Sequence, residues 1–355
     1  MVWNPFYRTE AITMDIKIID VARAAKVSPT TVSRVLNNNP VVKAKTREKV
    51  LKVIEELNYV PHAAAQNLRR QRTMMIGVVV TDIRGAYHSE IIKGIQSRAA
   101  ETQYKVLICD TQDNRDIELE YLRMLTDRSV DAMILVASLL SKQEVQEFVE
   151  RGYPLGVIGR SIEHPNILKV YTNNVEAAQE AVTHLIEQGH RDIVFMSGDA
   201  RAIDSYDRLE GYIRALRDNE IPFRPELVEN GNFSEQEAYN AMLRLWDKGL
   251  QFTAVFCAND EMAIGVYRAC RERGVRIPDQ MAVVGVDNER ISQFLMPPLS
   301  TIDQPKFEMG RTIADHLIRH MNGESLDDRR VTVLPSKLII RQSSLSKVSV
   351  PRERR

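Results

Sequence analysis

Cysteine is scarce: Cys109, Cys257 and Cys270 are the only three in 355 residues. They have no metal-ligand spacing and suggest no disulfide framework, so they read as small buried apolar residues in a reducing cytoplasm. Long apolar runs are missing too; none approaches the roughly 18 residues that span a bilayer. The stretch Met1–Thr13 lacks a basic start and an apolar core, which argues against a secretory signal. There is no glycine-rich phosphate loop, no nucleophile elbow and no metalloprotease histidine pair. His190-Arg191-Asp192 imitates a kinase triplet, but no Asp-Phe-Gly follows. Asn232-Phe233-Ser234 is a formal glycosylation sequon with nothing to carry it to secretion. An enzyme would need a base with a nucleophile or metal, and neither is legible. The reading is a non-enzyme with no cofactor, no metal and no membrane partner.

Net charge is also absent, with 48 basic and 48 acidic residues, but the two signs are not evenly spread. Residues 1–75 carry 13 Lys and Arg against 6 Asp and Glu, a net +7, and the remainder is −7. A basic head on an acidic body suits a polyanion partner. Within the head, Ile18 to Leu57 reads as three short helices. Ile19, Ala22 and Ala25 lie at helical spacing beside Val21; Val32, Val35 and Leu36 form a second stripe; Val50, Val53, Ile54 and Leu57 form a third. Ser28 is a good N-cap and Pro29 suits the first helical position. With the second stripe buried, Thr30, Thr31, Ser33 and Arg34 face outward, as a helix entering a major groove requires. A plain three-helix packing unit would share the same apolar pattern.

Ile19-Asp20-Val21-Ala22, Val27-Ser28, Thr31-Val32-Ser33-Arg34-Val35-Leu36-Asn37, Thr46-Arg47 and Leu57-Asn58-Tyr59-Val60-Pro61 together resemble the lac repressor (LacI/GalR) family signature. The resemblance implies that Pro29, Thr30 and Arg34 read bases. It places Ser28, Ser33, Asn37 and Tyr59 at phosphates. Lys26 departs from it, standing where Gly or Asn is usual. If that backbone is left-handed, Lys costs on the order of 1 kcal/mol. The Ala-rich, basic run Pro61 to Arg72 is shorter than the roughly 12–15 residues an isolated helix needs. It reads either as a flexible linker or, by the resemblance, as a hinge helix whose Leu68 wedges between base pairs in the minor groove.

From Met74 on, apolar runs (Met75–Val80, Val106–Cys109, Ala132–Val136, Leu155–Ile158, Ile193–Met196, Ala254–Cys257, Met281–Val286) alternate with amphipathic stretches. That alternation means parallel, doubly wound sheets, and its length means two lobes breaking near Tyr171–Asn174. Such sheets bind ligands beyond their carboxyl strand ends, where Asp82, Gly159-Arg160, Asn259-Asp260 and Asp287-Asn288 fall. Each of these could equally cap the helix that follows. The family resemblance runs from about Met14 to Arg341 and implies a periplasmic-binding-protein fold as sensor. By it, Arg208 and Asp287 contact an effector and Phe233 stacks on it. Tyr87, Arg160, Asn259 and Gln304 are further contacts, and Asp204 sets specificity.

The expected organisation is an all-α helix-turn-helix head joined to an α/β body of two doubly wound parallel-sheet lobes. Its segments are an extension (1–13), a head (14–61), a hinge (62–73), a first lobe (74–172 with about 304–326), a second lobe (173–303 with about 327–345) and a tail (346–355). A solute-binding protein or sugar-processing enzyme would not need the basic head. The function read here is a cytoplasmic, ligand-responsive regulator, read as a repressor of carbohydrate-related genes. It would bind pseudo-palindromic operator DNA as a homodimer, since the tail has no leucine heptads for a tetramer. A sugar or sugar phosphate is the expected effector; a purine or nucleoside, or a phosphoprotein corepressor, stays open.

Overall fold

Pro29 brings a preset φ and no N–H to a place where none is needed, and it opens the second of the three helices among the described residues of the head: α1 (Ile18–Ala24), α2 (Pro29–Leu36) and α3 (Ala44–Glu56). The Ser28 side chain accepts a hydrogen bond from the Thr31 N–H at 3.1 Å and so caps α2. These helices enclose a small core of Val21, Ala22, Ala25, Val32, Val35, Val50 and Tyr59, with Leu36, Val53, Ile54 and Leu57 packed against it. The stripe on α1 differs from expectation: Ile18 packs inward, whereas Ile19 is 51% exposed. One residue of rotation on so short a helix is set by its neighbours, not by its own pattern. Lys26 does take the left-handed conformation, φ 51°.

The computed structural model describes residues 16–59, 72–138, 140–159, 164, 166–325 and 330–345. The chain forms two compact units, Met1–Thr73 and Met74–Arg355. The expected extension, tail and hinge residues 62–71, Leu68 among them, lie outside the described residues.

The larger unit begins with β1 (Met75–Val80), α4 (Ala86–Glu101), β2 (Lys105–Asp110), α5 (Arg115–Thr126), β3 (Ala132–Val136), α6 (Lys142–Glu150), β4 (Leu155–Ile158) and β5 (Leu168–Thr172). There follow α7 (Asn174–Glu187), β6 (Ile193–Ser197), α8 (Ile203–Asp218), β7 (Val228–Asn230), α9 (Glu235–Asp247), β8 (Ala254–Cys257), α10 (Asp260–Glu272) and β9 (Ala282–Val286). The unit closes with β10 (Ser300–Asp303), α11 (Lys306–Met321), β11 (Val331–Leu334) and β12 (Lys337–Ile339). The strands form two six-stranded sheets, ordered β11-β5-β4-β3-β1-β2 and β12-β10-β9-β8-β6-β7. All described pairings are parallel except β10 with β12. Strand alternation divides the first lobe's core: Ile76, Val78, Ile134 and Val136 face α4 and α11, while Val79, Met133 and Leu135 face the α5–α6 side. A sheet covered on both faces needs unbroken apolar strands, as in Val78-Val79-Val80.

The chain passes between the lobes at Thr172–Asn174, Asp303–Lys306 and Leu334–Lys337. The last passage corrects the expectation that about 327–345 belongs wholly to the second lobe. Val331–Leu334 pairs with Lys169–Thr172 and extends the first sheet. It is a half-exposed edge strand, and no sequence pattern says which sheet such a strand joins. In the first lobe, α4 and α11 cross at van der Waals contact through two glycines. A Cβ on Gly94 would lie 2.0 Å from the Phe307 carbonyl oxygen, and one on Gly310 would lie 2.0 Å from that of Ile91.

Candidate nucleic-acid interface and ligand cleft

Burial of Val32 and Val35 turns Thr30 and Arg34 outward into solvent, with Ser28, Pro29 and Asn37 also exposed and Thr31 and Ser33 half-buried. The Ser28 and Thr31 hydroxyls lie 2.9 Å apart, and Asn37 Nδ2 donates to the Ser33 carbonyl at 2.6 Å. Tyr59 does not share this open surface; its ring is buried in the head core. The exposed face offers hydroxyls, an amide and a guanidinium, the groups that pair with base edges and phosphates.

In the body, strand ends and helix starts bring a second set of residues together. Asp204, in the first turn of α8, accepts from Asn174 Nδ2 at 3.1 Å. Asn174 Oδ1 in turn accepts from Arg208 Nε at 3.1 Å, and Arg208 Nη1 donates to the Ala258 carbonyl at 2.5 Å. Arg208 is one turn beyond Asp204 on the same helix face, and it is buried. Across from them is the first lobe: a Cβ placed on Gly159 would lie 3.3 Å from Asp204 Oδ2 and 3.6 Å from the Tyr87 hydroxyl. Tyr87 and Asp204 therefore meet at the same point from opposite lobes. Burial pushes the Asp204 carboxyl up to about 6, against the opposing pull of Arg208, and it pushes the Tyr87 hydroxyl well above its ordinary value.

Asp287 directly follows β9 with φ 112°, and it is buried. Its carboxylate accepts from Gln304 Nε2 at 2.6 Å, while its backbone carbonyl accepts from Lys306 Nζ. Gln304 Oε1 accepts from the Thr172 hydroxyl at 3.0 Å, so one side chain ties two of the inter-lobe passages to Asp287. Burial raises the Asp287 carboxyl, opposed by Arg208 and Lys306. Asn259 caps α10 through the Met262 N–H at 2.9 Å and reaches the Phe233 carbonyl at 3.4 Å. Phe233 has φ 55°, and its ring lies flush on Gly198, where an added Cβ would lie 2.0 Å away. Arg160 lies outside the described residues.

Asp260 behaves differently from its neighbours. Fully buried, it accepts from the Glu289 N–H at 2.8 Å, the Ser292 hydroxyl at 2.5 Å and the Thr301 hydroxyl at 2.6 Å, which makes it a structural knot. After β1 and β6, Asp82 and Asp199 each bind the arginine two residues on, through the backbone N–H and the guanidinium fork. Sequence reasoning missed Asn174, Thr172 and Lys306. For Thr172 and Asn174 a signal existed, because both lie where the lobe break was placed. Among the described residues no group of three or more His, Cys, Asp and Glu could hold a metal, and no helix is long and apolar enough to cross a membrane.

Comparison with known proteins gives this geometry a context. Residues 17–62 match the family model "Bacterial regulatory proteins, lacI family", and residues 182–344 match "Periplasmic binding protein-like domain". Catabolite control protein A of Priestia megaterium is 34% identical over 333 residues, 93% of this chain and 100% of that protein. The chain belongs to the lacI family of bacterial regulatory proteins. Like these LacI-family relatives, it is a transcriptional regulator. The HTH-type transcriptional repressor PurR of Vibrio parahaemolyticus is 33% identical, covering 92% of this chain and 98% of that one. Among solved structures, the lac repressor dimer bound to operator and the anti-inducer ONPF matches with a TM-score of 0.84 at 29% identity, over 93% of this LacI-family chain and 99% of that one. The complex of the regulator CelR with cellobiose matches at 0.71 and 30% identity, over 92% and 99%. The helix-turn-helix head and the two-lobe α/β body are those of the family.

Proposed function

We propose that this protein is an operator-binding repressor whose affinity for DNA is set by a carbohydrate held between the lobes of its body. The observation that carries the reading is the linked set Asp204, Asn174, Arg208 and Asp287, facing Tyr87 across the cleft. A carboxylate, an amide and a guanidinium on one wall match the alternating donors and acceptors of neighbouring sugar hydroxyls, and charge-assisted bonds to them are strong. Phe233, Asn259 and Gln304 complete that wall, and the sequence reading adds Arg160 as a further contact. On the head, Pro29, Thr30 and Arg34 read bases, while Ser28, Thr31, Ser33 and Asn37 approach phosphates. Tyr59 supports this surface from within, with Leu68 as the minor-groove wedge. A homodimer on a pseudo-palindromic site supplies the length of sequence that one short helix cannot read. The relatives named above, a lac repressor dimer on its operator and a cellobiose-bound regulator, support this reading.

Effector and operator affinities are thermodynamically linked, so each must change the other by the same factor. Selection of bound duplexes from a random pool, followed by titration of mono- and disaccharides, sugar phosphates and purines, tests the whole. The expected result is one enriched pseudo-palindrome whose affinity shifts with a sugar that also raises the melting point of the body. Enrichment of no sequence would refute the operator reading. A melting shift with purines alone would refute the carbohydrate reading.

A further inference from the structure

Arg47 belongs to α3, yet its guanidinium is spent on the end of α2. Nη1 donates to the Asn38 side-chain oxygen at 2.5 Å and to the Val35 carbonyl at 3.5 Å, and Nη2 donates to the Asn39 carbonyl at 2.7 Å. These three acceptors surround the point where α2 stops. There the Asn39 N–H returns to the Arg34 carbonyl at 2.9 Å and the Asn38 N–H to that of Val35 at 3.0 Å, with Asn38 left-handed at φ 51°. This is the paired closure that ends many helices. One of its two carbonyls belongs to Arg34, the exposed residue whose direction matters for reading a groove. Helix carbonyl ends carry partial negative charge, so a guanidinium placed there is favoured as well as hydrogen-bonded. No other described cation donates to residues 35–39 of this turn.

We infer that Arg47 is a positioning residue for operator reading: by clamping the closing turn of α2 onto α3, it fixes the direction in which Arg34 enters the groove. The inference rests on the operator reading above. Arg47 is half-buried in this clamp, and its donors face protein acceptors. Lysine keeps the charge but cannot span three acceptors from one planar group. Specific and non-specific binding should therefore separate. Non-specific affinity depends on the number of charges near phosphates, whereas specific affinity depends on the placement of one helix.

The test uses the full chain, with the selected operator duplex and a random duplex of equal length, across a salt series. Arg47→Lys is expected to keep its random-duplex affinity within about twofold, with the same salt slope, and to lose about 10-fold or more on the operator. Asn38→Gly removes one acceptor at a position where glycine suits the backbone. It is expected to lower operator affinity more modestly, and the Arg47→Lys loss should shrink in its background, because the two changes share one contact. If Arg47→Lys melts the head, Asn38→Gly decides alone, through its operator-to-random ratio. An unchanged ratio overturns the inference, and so does an equal loss on both duplexes, which would make Arg47 a phosphate contact. A parent protein with no preference for any duplex would overturn the operator reading itself and this inference with it.

Discussion

Replacing Gly310 with alanine sets two effects of known size against each other. Gly310 is inside α11, and in an open helix the change would stabilise by about 1 kcal/mol through backbone entropy. Here the new methyl would lie 2.0 Å from the Ile91 carbonyl oxygen, 2.9 Å from its carbon and 3.1 Å from the Ile95 nitrogen. All three are backbone atoms of α4, so no side chain can swing aside, and the helices must separate. Overpacking of this kind typically costs about 1–3 kcal/mol, sometimes more, and backbone-on-backbone contact belongs at the upper end. The net expectation is a loss of about 1–2 kcal/mol, after subtracting the helix-propensity gain. For a large domain each kcal/mol is worth about 2–4 °C, so the melting point of the body should fall by about 2–8 °C. Scanning calorimetry of parent and variant reads this directly. Gly249→Ala is the control: its φ is +74° with nothing within 4 Å of the added carbon, so it bears only conformational strain of about 1 kcal/mol. A Gly310→Ala protein that melts at or above the parent would refute the argument that this crossing is closed to a methyl group.

Arg208→Lys should fold but weaken effector binding by about 10- to 100-fold in calorimetric titration, since one charge-assisted bond carries about 1.5–3 kcal/mol. Unchanged affinity would remove Arg208 from the site. Asp204 has its pKa raised to about 6 in the folded protein, above the ordinary carboxylate value of 3.8. The native state therefore holds that proton more tightly, so this contribution to stability is full below about pH 4 and is lost as pH rises to about 6. Asp204→Asn, which keeps the acceptor for Asn174, should flatten the body's stability profile across that window in denaturant titrations. Lys26→Asn should stabilise the head by up to about 1 kcal/mol, because Asn tolerates the left-handed conformation that Lys26 holds at φ 51°. Thermal melting followed by helical circular dichroism checks it.

Much of the architecture was legible because buried parallel strands and amphipathic helices carry strong periodic signals. The second helix of the head was read from Ser28, Pro29, Val32, Val35 and Leu36, and its cap and its buried face at Val32 and Val35 are as those residues dictate. What stayed hidden was short or depended on distant partners. β7 is three residues, Val-Glu-Asn, and has no pattern to read. β11 alternates exposed and half-buried positions, and only its pairing with β5 shows which lobe it serves. Met309, Ile313, Ala314, Leu317 and Ile318 did carry helical spacing, so α11 was readable and was passed over. In the cleft, the strand ends pointed to Asp287 and the family resemblance to Asp204 and Arg208, yet the couplings through Asn174, Thr172 and Lys306 are long-range contacts. Tyr59 was put at a phosphate by the resemblance alone, and the packing of its ring into the head core depends on residues distant in sequence.

The three passages between the lobes form a row of chain crossings, the place where any swing of one lobe against the other would be taken up. Gln304 bridges two of them, holding Thr172 on one side and the Asp287 carboxylate on the other. Anything that pulls on Asp287 therefore pulls on these crossings, and a small shift there would be amplified at the ends of the lobes. Backbone amides between Asp303 and Lys306 should consequently gain protection from deuterium exchange when the cleft fills, ahead of any change at the ends of the lobes.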